Sequence, residues 1–475
     1  GIGQDIFAYD SSTVELVSVK GSGKFTGQTG VDSIFDVSDT GKYVAFSSYA
    51  TGMSDGVIGN GNWQVYVRDV TTSSSELISQ SLLGGVGENT SASPSISGDG
   101  TYVAFYSAAQ LDANDLNGSW NWDIYVRDRN LSTTHLISIN SDGTNSGDGS
   151  SYPARISRDG STVAFVSYSS DLDSAITDGN STGDVFVRDW QAVSPTTRLV
   201  SRNSTSTDSA NAQSWQPVLS ETGSVITFSS YATDLVSTSF DSNGSGQDAF
   251  VYDGSVVDLV TAKGSGSFTG QIGVDTVFDI SDTGSYVAFS SYAAGMSDWV
   301  INNGHWQVYV RDITVSSTDL ISESLSGAVG ENLSASPSIS GDGRYVAFHS
   351  FAQLDVLDAN GYLDVFVRDR NLSTTHLISI NSAGTNSGDN YSQSPRISRD
   401  GSTVVFESYS SDLDANVTDT YELDVFIRKW NASNPVTDLL SRDSSGTSSS
   451  DNYSLFPSIS ENGATAVFYS YGTNL

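Results

Sequence analysis

Hydrophobic and polar residues alternate in short runs along this chain, and the runs return at a regular interval. The unit from Ser93 shows the pattern: SPSIS, a GDG turn, TYVAFYS, a long polar stretch, DIYVRD, RNLST and THLISI. Val103 and Phe105 fall on one side of a two-residue period, and Tyr102, Ala104 and Tyr106 on the other, as a strand requires. Val, Ile, Phe, Tyr and Thr fill the runs, and turn-forming residues fill the gaps. Asp99-Gly100 predicts a tight hairpin, because Gly tolerates the positive φ that such a turn needs. No stretch keeps apolar residues at helical spacing over three turns. The pattern is all-β, with four antiparallel strands per unit.

The Ser-x-x-Gly turn and its following strand occur eight times, with the glycines at 41, 100, 160, 223, 284, 343, 401 and 463. A period of 58 to 63 residues holding four strands predicts a repeat architecture, and radial repetition closes it into an eight-bladed β-propeller. Residues 457–475 supply only the first two strands of a unit, and residues 3–19 only the last two. Joined, they complete the eighth blade, so residues 1–475 read as a single domain. A longer period lies above this one: GQDIFAYD at Gly3 returns as GQDAFVYD at Gly246, and DRNLSTTHLISIN is identical at Asp128 and Asp369. The half-repeats run over about 1–243 and 244–475. Closure within one chain predicts a monomer; strand exchange with a neighbour would give a filament or surface layer instead. The chain begins with Gly and reads as a mature or excised form.

Charge narrows the partners. With 55 acidic against 21 basic residues, a net charge of −34 repels nucleic-acid phosphates and anionic membranes. No apolar run is long enough to insert into a bilayer. The absence of Cys leaves no disulfide framework and no thiol chemistry. These features suit a bacterial extracellular or cell-surface protein, with the periplasm as the alternative.

The links between first and second strands and between third and fourth are mostly short. Those from second to third strand and from blade to blade are long, and in a propeller both emerge on one face. Six of the eight Trp fall in those long loops: Trp63, Trp120, Trp122, Trp215, Trp299 and Trp306. Exposed Trp beside Asp and Asn predicts a binding face for a glycan or a protein. The plainer reading is that these rings cover the ends of neighbouring blades.

The same loops carry Asp-rich turns: DANGYLD at Asp358, DSNGSGQD at Asp241, DLNGSWNWD at Asp115 and DGNSTGD at Asp178. Asp-x-Asn with a later Asp gathers several oxygens on one turn, and calcium is a hard ion that takes six to eight. The candidate ligands are Asp358, Asn360 and Asp364; Asp241, Asn243 and Asp248; Asp115, Asn117 and Asp123; and Asp178, Asn180 and Asp184. Blade seven offers Asp419 and Asp424, and blades one and five depart from the pattern with IGNGNWQ and INNGHWQ. Such clusters also make β-turns with no metal.

The SxDGxYVAF…DVFVRD…LIS unit resembles the TolB-like propeller repeat, over essentially every blade. The resemblance implies a propeller of the bacterial envelope or exterior used mostly for protein contact. Secreted relatives with Asp-x-Asn-Gly loops resemble calcium-stabilised propellers. Some members are accessory domains of peptidases and others resemble polysaccharide lyases, so fold alone assigns no activity.

Aligned first strands place Asp36, Ser95, Arg155, Val218, Asp279, Ser338, Arg396 and Ser458 toward a central channel. Asp36, Arg155, Asp279 and Arg396 are its candidate polar lining. The four His do not converge: His135 and His376 are repeat equivalents, His349 lies on a second strand and His305 in a loop. Arg68, Arg127, Arg188, Arg311, Arg368 and Arg428 share one repeat position and read as a scaffold ion pair. SDN at Ser450 lacks a Ser-x-x-Lys partner. No catalytic residue stands out. The chain reads as a calcium-stabilised propeller acting as a binding or structural module, with a polysaccharide lyase or glycosidase as the alternative.

Overall fold

The Ser-x-x-Gly phrase folds as the hairpin between first and second strands. In the second unit the Ser97 hydroxyl donates to Asp99 Oδ1 (2.7 Å) and accepts the Tyr102 amide (2.9 Å), while the Gly100 amide donates to the Ser97 carbonyl (2.9 Å). Gly100 has φ +75°, and a Cβ there would lie 2.1 Å from Tyr43 Cδ2 of the preceding blade. The glycine therefore recurs for two reasons, turn conformation and close blade-to-blade approach.

The structure, a computed structural model, describes all residues except 1–3, 11–12, 20–29, 55–58, 119, 177, 238–243, 263–273, 294, 298–303 and 420, and no side chains of 274–277. The described residues form eight four-stranded antiparallel sheets, and the fold is an eight-bladed β-propeller. Blade 2 is typical, with strands Ser91–Ile96, Tyr102–Ser107, Asp123–Asp128 and Thr133–Leu136. Blade 8 joins Ser454–Ile459 and Ala466–Ser470 to Asp5–Tyr9 and Val14–Leu16, with Phe7 opposite Phe468. Closure by both ends of the chain is thus as the sequence predicts. No helix long and apolar enough to cross a membrane occurs among the described residues.

Two compact units divide the chain. Val17–Val260 holds blades 1 to 4, and Gly1–Leu16 with Thr261–Leu475 holds blades 5 to 8. Within each, apolar side chains of consecutive blades interlock. Val67 and Ile78 of blade 1 pack with Phe105 and Tyr125 of blade 2, and Val365 and Val367 of blade 6 with Phe406 and Phe426 of blade 7. Each fully buried Phe contributes about 1.5–3 kcal/mol by leaving water.

The recurrent arginines share a bond to a hydroxyl, and Arg368 adds the expected ion pair. Arg68, Arg127, Arg188, Arg311, Arg368 and Arg428 each donate through Nη1 to a fourth-strand hydroxyl, on Ser75, Thr134, Thr197, Thr318, Thr375 and Thr437 respectively, at 2.7–3.3 Å. Of these bonds' donors, Arg368 also pairs with Glu323, and Arg127 reaches the Gln80 amide oxygen (2.9 Å). Inside a blade a neutral hydroxyl suits the position, because it satisfies the donor without burying a second charge.

First strands carry a bulge: their pairing with second strands slips between Ala92 and Ser95, and likewise between Trp215 and Val218. Ser93, Gln216, Ser336, Ser394 and Phe456 sit there at φ +51° to +55°. The bulge turns the strand's first residues outward at the end where the long loops emerge.

Candidate functional site

Five of the six Trp of the expected binding face fall on described residues; Trp299 lies outside them. Each half-buried Trp stands against a Tyr of its own blade: Trp63 against Tyr49 (4.8 Å between ring centroids), Trp122 against Tyr106 (5.0 Å), Trp215 against Tyr231 (4.6 Å) and Trp306 against Tyr292 (4.7 Å). Trp120 stands apart at 89% exposure. Trp215 is not in a loop but is the second residue of its first strand, Ser214–Leu219, brought to the face by the bulge.

The tyrosines are what sequence reasoning missed. A Ser-Tyr pair closes the second strand in six blades, at Tyr49, Tyr168, Tyr231, Tyr292, Tyr409 and Tyr471. That recurrence was the available signal. In blades 2 to 4 the rings follow one another: Tyr106 lies 6.0 Å from Tyr152, and Tyr152 6.1 Å from Tyr168. Between blades 3 and 4 they open into a groove of about 360 Å³ lined by Tyr152, Pro153, Val166, Tyr168, Gln213, Trp215 and Tyr231. Tyr152, Tyr168 and Tyr231 keep 40–42% exposure, so ring surface is presented rather than buried. In the other unit Tyr391 meets Tyr362 (4.9 Å) and Phe351 (6.0 Å), and Phe456 meets Tyr469 (6.4 Å).

The Asp-rich loops converge on the first residue of each third strand. Asp123, Asp184, Asp364 and Asp424 are at most 1% exposed. Each accepts at Oδ1 from a serine just past the fourth strand: Ser138 (2.7 Å), Ser201 (2.6 Å), Ser379 (2.6 Å) and Ser441 (2.5 Å). Burial, above all, pushes their carboxyls up, Asp123 to about 7 and the other three to about 8. In blades 1 and 5, where the motif breaks, Gln64 and Gln307 take this place and accept from Ser79 and Ser322 at 2.6 Å. A neutral amide there donates in addition to the carbonyls of residues 87 and 330, both at 3.1 Å.

The loop asparagines act as staples. Asn117 donates to Asp123 Oδ2 (3.0 Å) and the Gly147 carbonyl (3.1 Å), and Asn180 to Asp184 Oδ2 (2.7 Å) and the Ala210 carbonyl (2.5 Å). Asn360 donates to the Gly388 carbonyl (2.6 Å) and accepts the Tyr362 amide (2.7 Å). Asp241 and Asn243 lie outside the described residues, and Asp248 is buried. Among the described residues no three carboxylate or imidazole groups gather as a metal centre, so a cation here would need two carboxylates completed by neutral oxygens. One observation fits such a cation: Oδ2 of the fully buried Asp364 has no hydrogen-bond partner, and the same holds for Oδ2 of Asp424 in blade 7.

Within each unit the expected channel positions make the following bonds. Asp36 Oδ2 accepts the Ile96 amide (2.9 Å) and the Ser95 hydroxyl (3.2 Å), and Asp279 Oδ2 does the same with Ile339 (3.0 Å) and Ser338 (3.3 Å). They tie first strands of consecutive blades. Arg155 and Arg396 are exposed and donate to the carbonyls of their own neighbours, Ala154 (3.3 Å) and Pro395 (3.1 Å). His135 and His376 lie tilted against Trp190 and Trp430, with centroids 5.2 Å apart, and these indoles donate to the Gly160 and Gly401 carbonyls at 2.9 Å. At SDN, the Asp451 carboxylate accepts the Thr473 amide and hydroxyl, both at 2.6 Å, a turn-to-turn tie.

No protein-family model and no curated protein matches the sequence. Among solved structures the chain is similar to the β-propeller domain of the Trilobed protease from Pyrococcus furiosus, at 10% identity over 86% of this chain and 96% of that one, TM-score 0.42. It is similar to TolB from Acinetobacter baumannii, at 14% identity over 94% and 79%, TM-score 0.34. Pyrococcus horikoshii acylaminoacyl peptidase gives 10% identity over 83% of this chain and 50% of that one, TM-score 0.41, so the chain spans half of that enzyme. These are likenesses of fold, and the fold itself rests on the sheets described above.

Proposed function

We propose that this chain is a binding module working at or beyond the bacterial cell surface, stabilised by calcium, whose long-loop face holds a glycan on aromatic rings. The observation that carries the reading is the groove of Tyr152, Tyr168, Trp215 and Tyr231 between blades 3 and 4. Flat ring faces suit the apolar C–H face of a sugar, while tyrosine hydroxyls and Gln213 offer hydrogen bonds to its rim. The net charge of −34 selects a neutral glycan over an acidic one. The same charge, with no Cys to oxidise, supports an exterior location where calcium is plentiful.

Calorimetric titration with neutral oligosaccharides, guided by a glycan array, tests the reading. Trp215→Ala and Tyr231→Ala should each weaken binding at least tenfold with the sheet signal unchanged. Equal affinity in wild type and both variants, or a preference for polyanionic chains, would refute it.

A further inference from the structure

Blades 2 and 6 occupy matching places in the two half-repeats, and their Asp-rich loops share several contacts. Asp115 and Asp358 each donate their amide to the carbonyl three residues back, Asp112 (3.2 Å) and Asp355 (3.1 Å). Each accepts at Oδ1 from a serine, Ser146 (3.2 Å) and Ser387 (3.5 Å). Asp112 and Asp355 each accept a fourth-strand amide, from Leu136 and Leu377, at 3.2 Å. The third residue of the third strand stacks alike in both, Tyr125 on Phe105 and Phe366 on Phe348, with centroids 6.0 Å apart.

Two contacts separate them. In blade 2 the Tyr125 hydroxyl lies 2.5 Å from Asp115 Oδ2, and Asn117 donates to Asp123 Oδ2 (3.0 Å). Both carboxylates are therefore fully engaged. In blade 6 Phe366 brings no hydroxyl to Asp358, and the Asn360 amide donates to the Gly388 carbonyl at 2.6 Å. Asp358 is 3% exposed and Asp364 0%, and Asp364 Oδ2 is left with no hydrogen-bond partner. Two neighbouring carboxylates have been taken out of water with too few donors to hold them, a costly arrangement unless a cation joins it.

We propose that blade 6 binds one hard divalent cation of the calcium class between the Asp358 and Asp364 carboxylates, and that in blade 2 the Tyr125 hydroxyl stands in for that cation. This rests on the calcium element of the reading above and deepens it, by assigning the ion to one loop and excluding it from its twin. Remaining ligands would be water and neutral oxygens, as calcium accepts.

Equilibrium dialysis with calcium alone on the full chain, with melting curves in calcium and in chelator, tests the assignment. Phe366→Tyr should supply the missing hydroxyl and lower the bound calcium by one per chain; Asp364→Asn should do the same by removing charge. Tyr125→Phe should add one. Should Phe366→Tyr fail to fold, the Asp364→Asn and Tyr125→Phe counts still decide. Wild type binding no calcium would refute both this assignment and the calcium element of the broader reading. Calcium bound equally by wild type, Phe366→Tyr and Asp364→Asn would refute the assignment alone and leave calcium to another loop.

Discussion

The Ser138 hydroxyl donates to Asp123 Oδ1 at 2.7 Å while accepting the Ile124 amide at 3.0 Å. One serine thus ties the chain leaving the fourth strand of blade 2 to the first residue of its third. Both partners are at most 1% exposed, so water cannot replace either bond. Ser138→Ala should cost about 1–3 kcal/mol, the penalty for stranding a buried acceptor and donor. Urea denaturation checks it; a change below about 0.5 kcal/mol would show that the latch is not structural.

Asp123 makes stability depend on pH. Its carboxyl is pushed up to about 7 from 3.8, chiefly by burial. Between those values the folded chain binds more protons than the unfolded one, so this contribution is full below about pH 4 and is lost as pH rises through 7. Gln64 and Gln307 show that a neutral amide is accepted at the same position. Asp123→Asn should therefore remove that slope and stabilise the chain at pH 8 by roughly 1–4 kcal/mol. Melting at pH 5 and pH 8 checks it, and an unchanged slope would refute it.

His349 acts in the opposite direction. Burial lowers its pKa to about 4 from 6.5, and its Nδ1 accepts the Ser394 amide at 3.4 Å. Its contribution is full above about pH 6.5 and is lost as pH falls through 4. His349→Gln should keep an acceptor and flatten the acid limb by up to about 3 kcal/mol. Melting temperatures at pH 4 and 7 read the difference.

Two glycines with positive φ separate turn strain from packing. Gly118 has φ +94° and open space where a Cβ would go, whereas Gly100 has φ +75° and Tyr43 at 2.1 Å. Gly118→Ala should cost about 1 kcal/mol through backbone strain alone. Gly100→Ala should cost more, by an added 1–3 kcal/mol or so, because Tyr43 must move. Equal losses in denaturation would show that the blade contact is slack.

The clasp of blade 8 is testable by removal. Asp5–Tyr9 pairs with Ala466–Ser470, and Ile6 is 0% and Phe7 6% exposed. Deleting residues 4–16 should remove at least about 3 kcal/mol from those two side chains alone and expose Phe468. A truncated chain with an unchanged melting temperature would mean that the clasp adds nothing.

The repeat, the all-β class, the eight blades and the closure by both chain ends were legible in the sequence, because strand alternation and turn chemistry are local and recur. The Ser97–Gly100 turn could be read from four letters. Tertiary structure alone decided what those letters meet. Tyr152, Tyr168, Trp215 and Tyr231 form one groove across two blades, although Tyr152 and Tyr231 are 79 residues apart in sequence. The Arg127 partner proved to be the Thr134 hydroxyl, since the interior favours a neutral acceptor over a second charge. Gln64 and Asp123 proved equivalent, because both latch the same kind of serine. Tyr125 and Phe366 look interchangeable as strand residues, and only the Asp115 carboxylate that the fold sets beside Tyr125 makes its oxygen matter. Pattern specifies which backbone forms; burial, felt only once distant blades pack, decides which polar atoms need a partner.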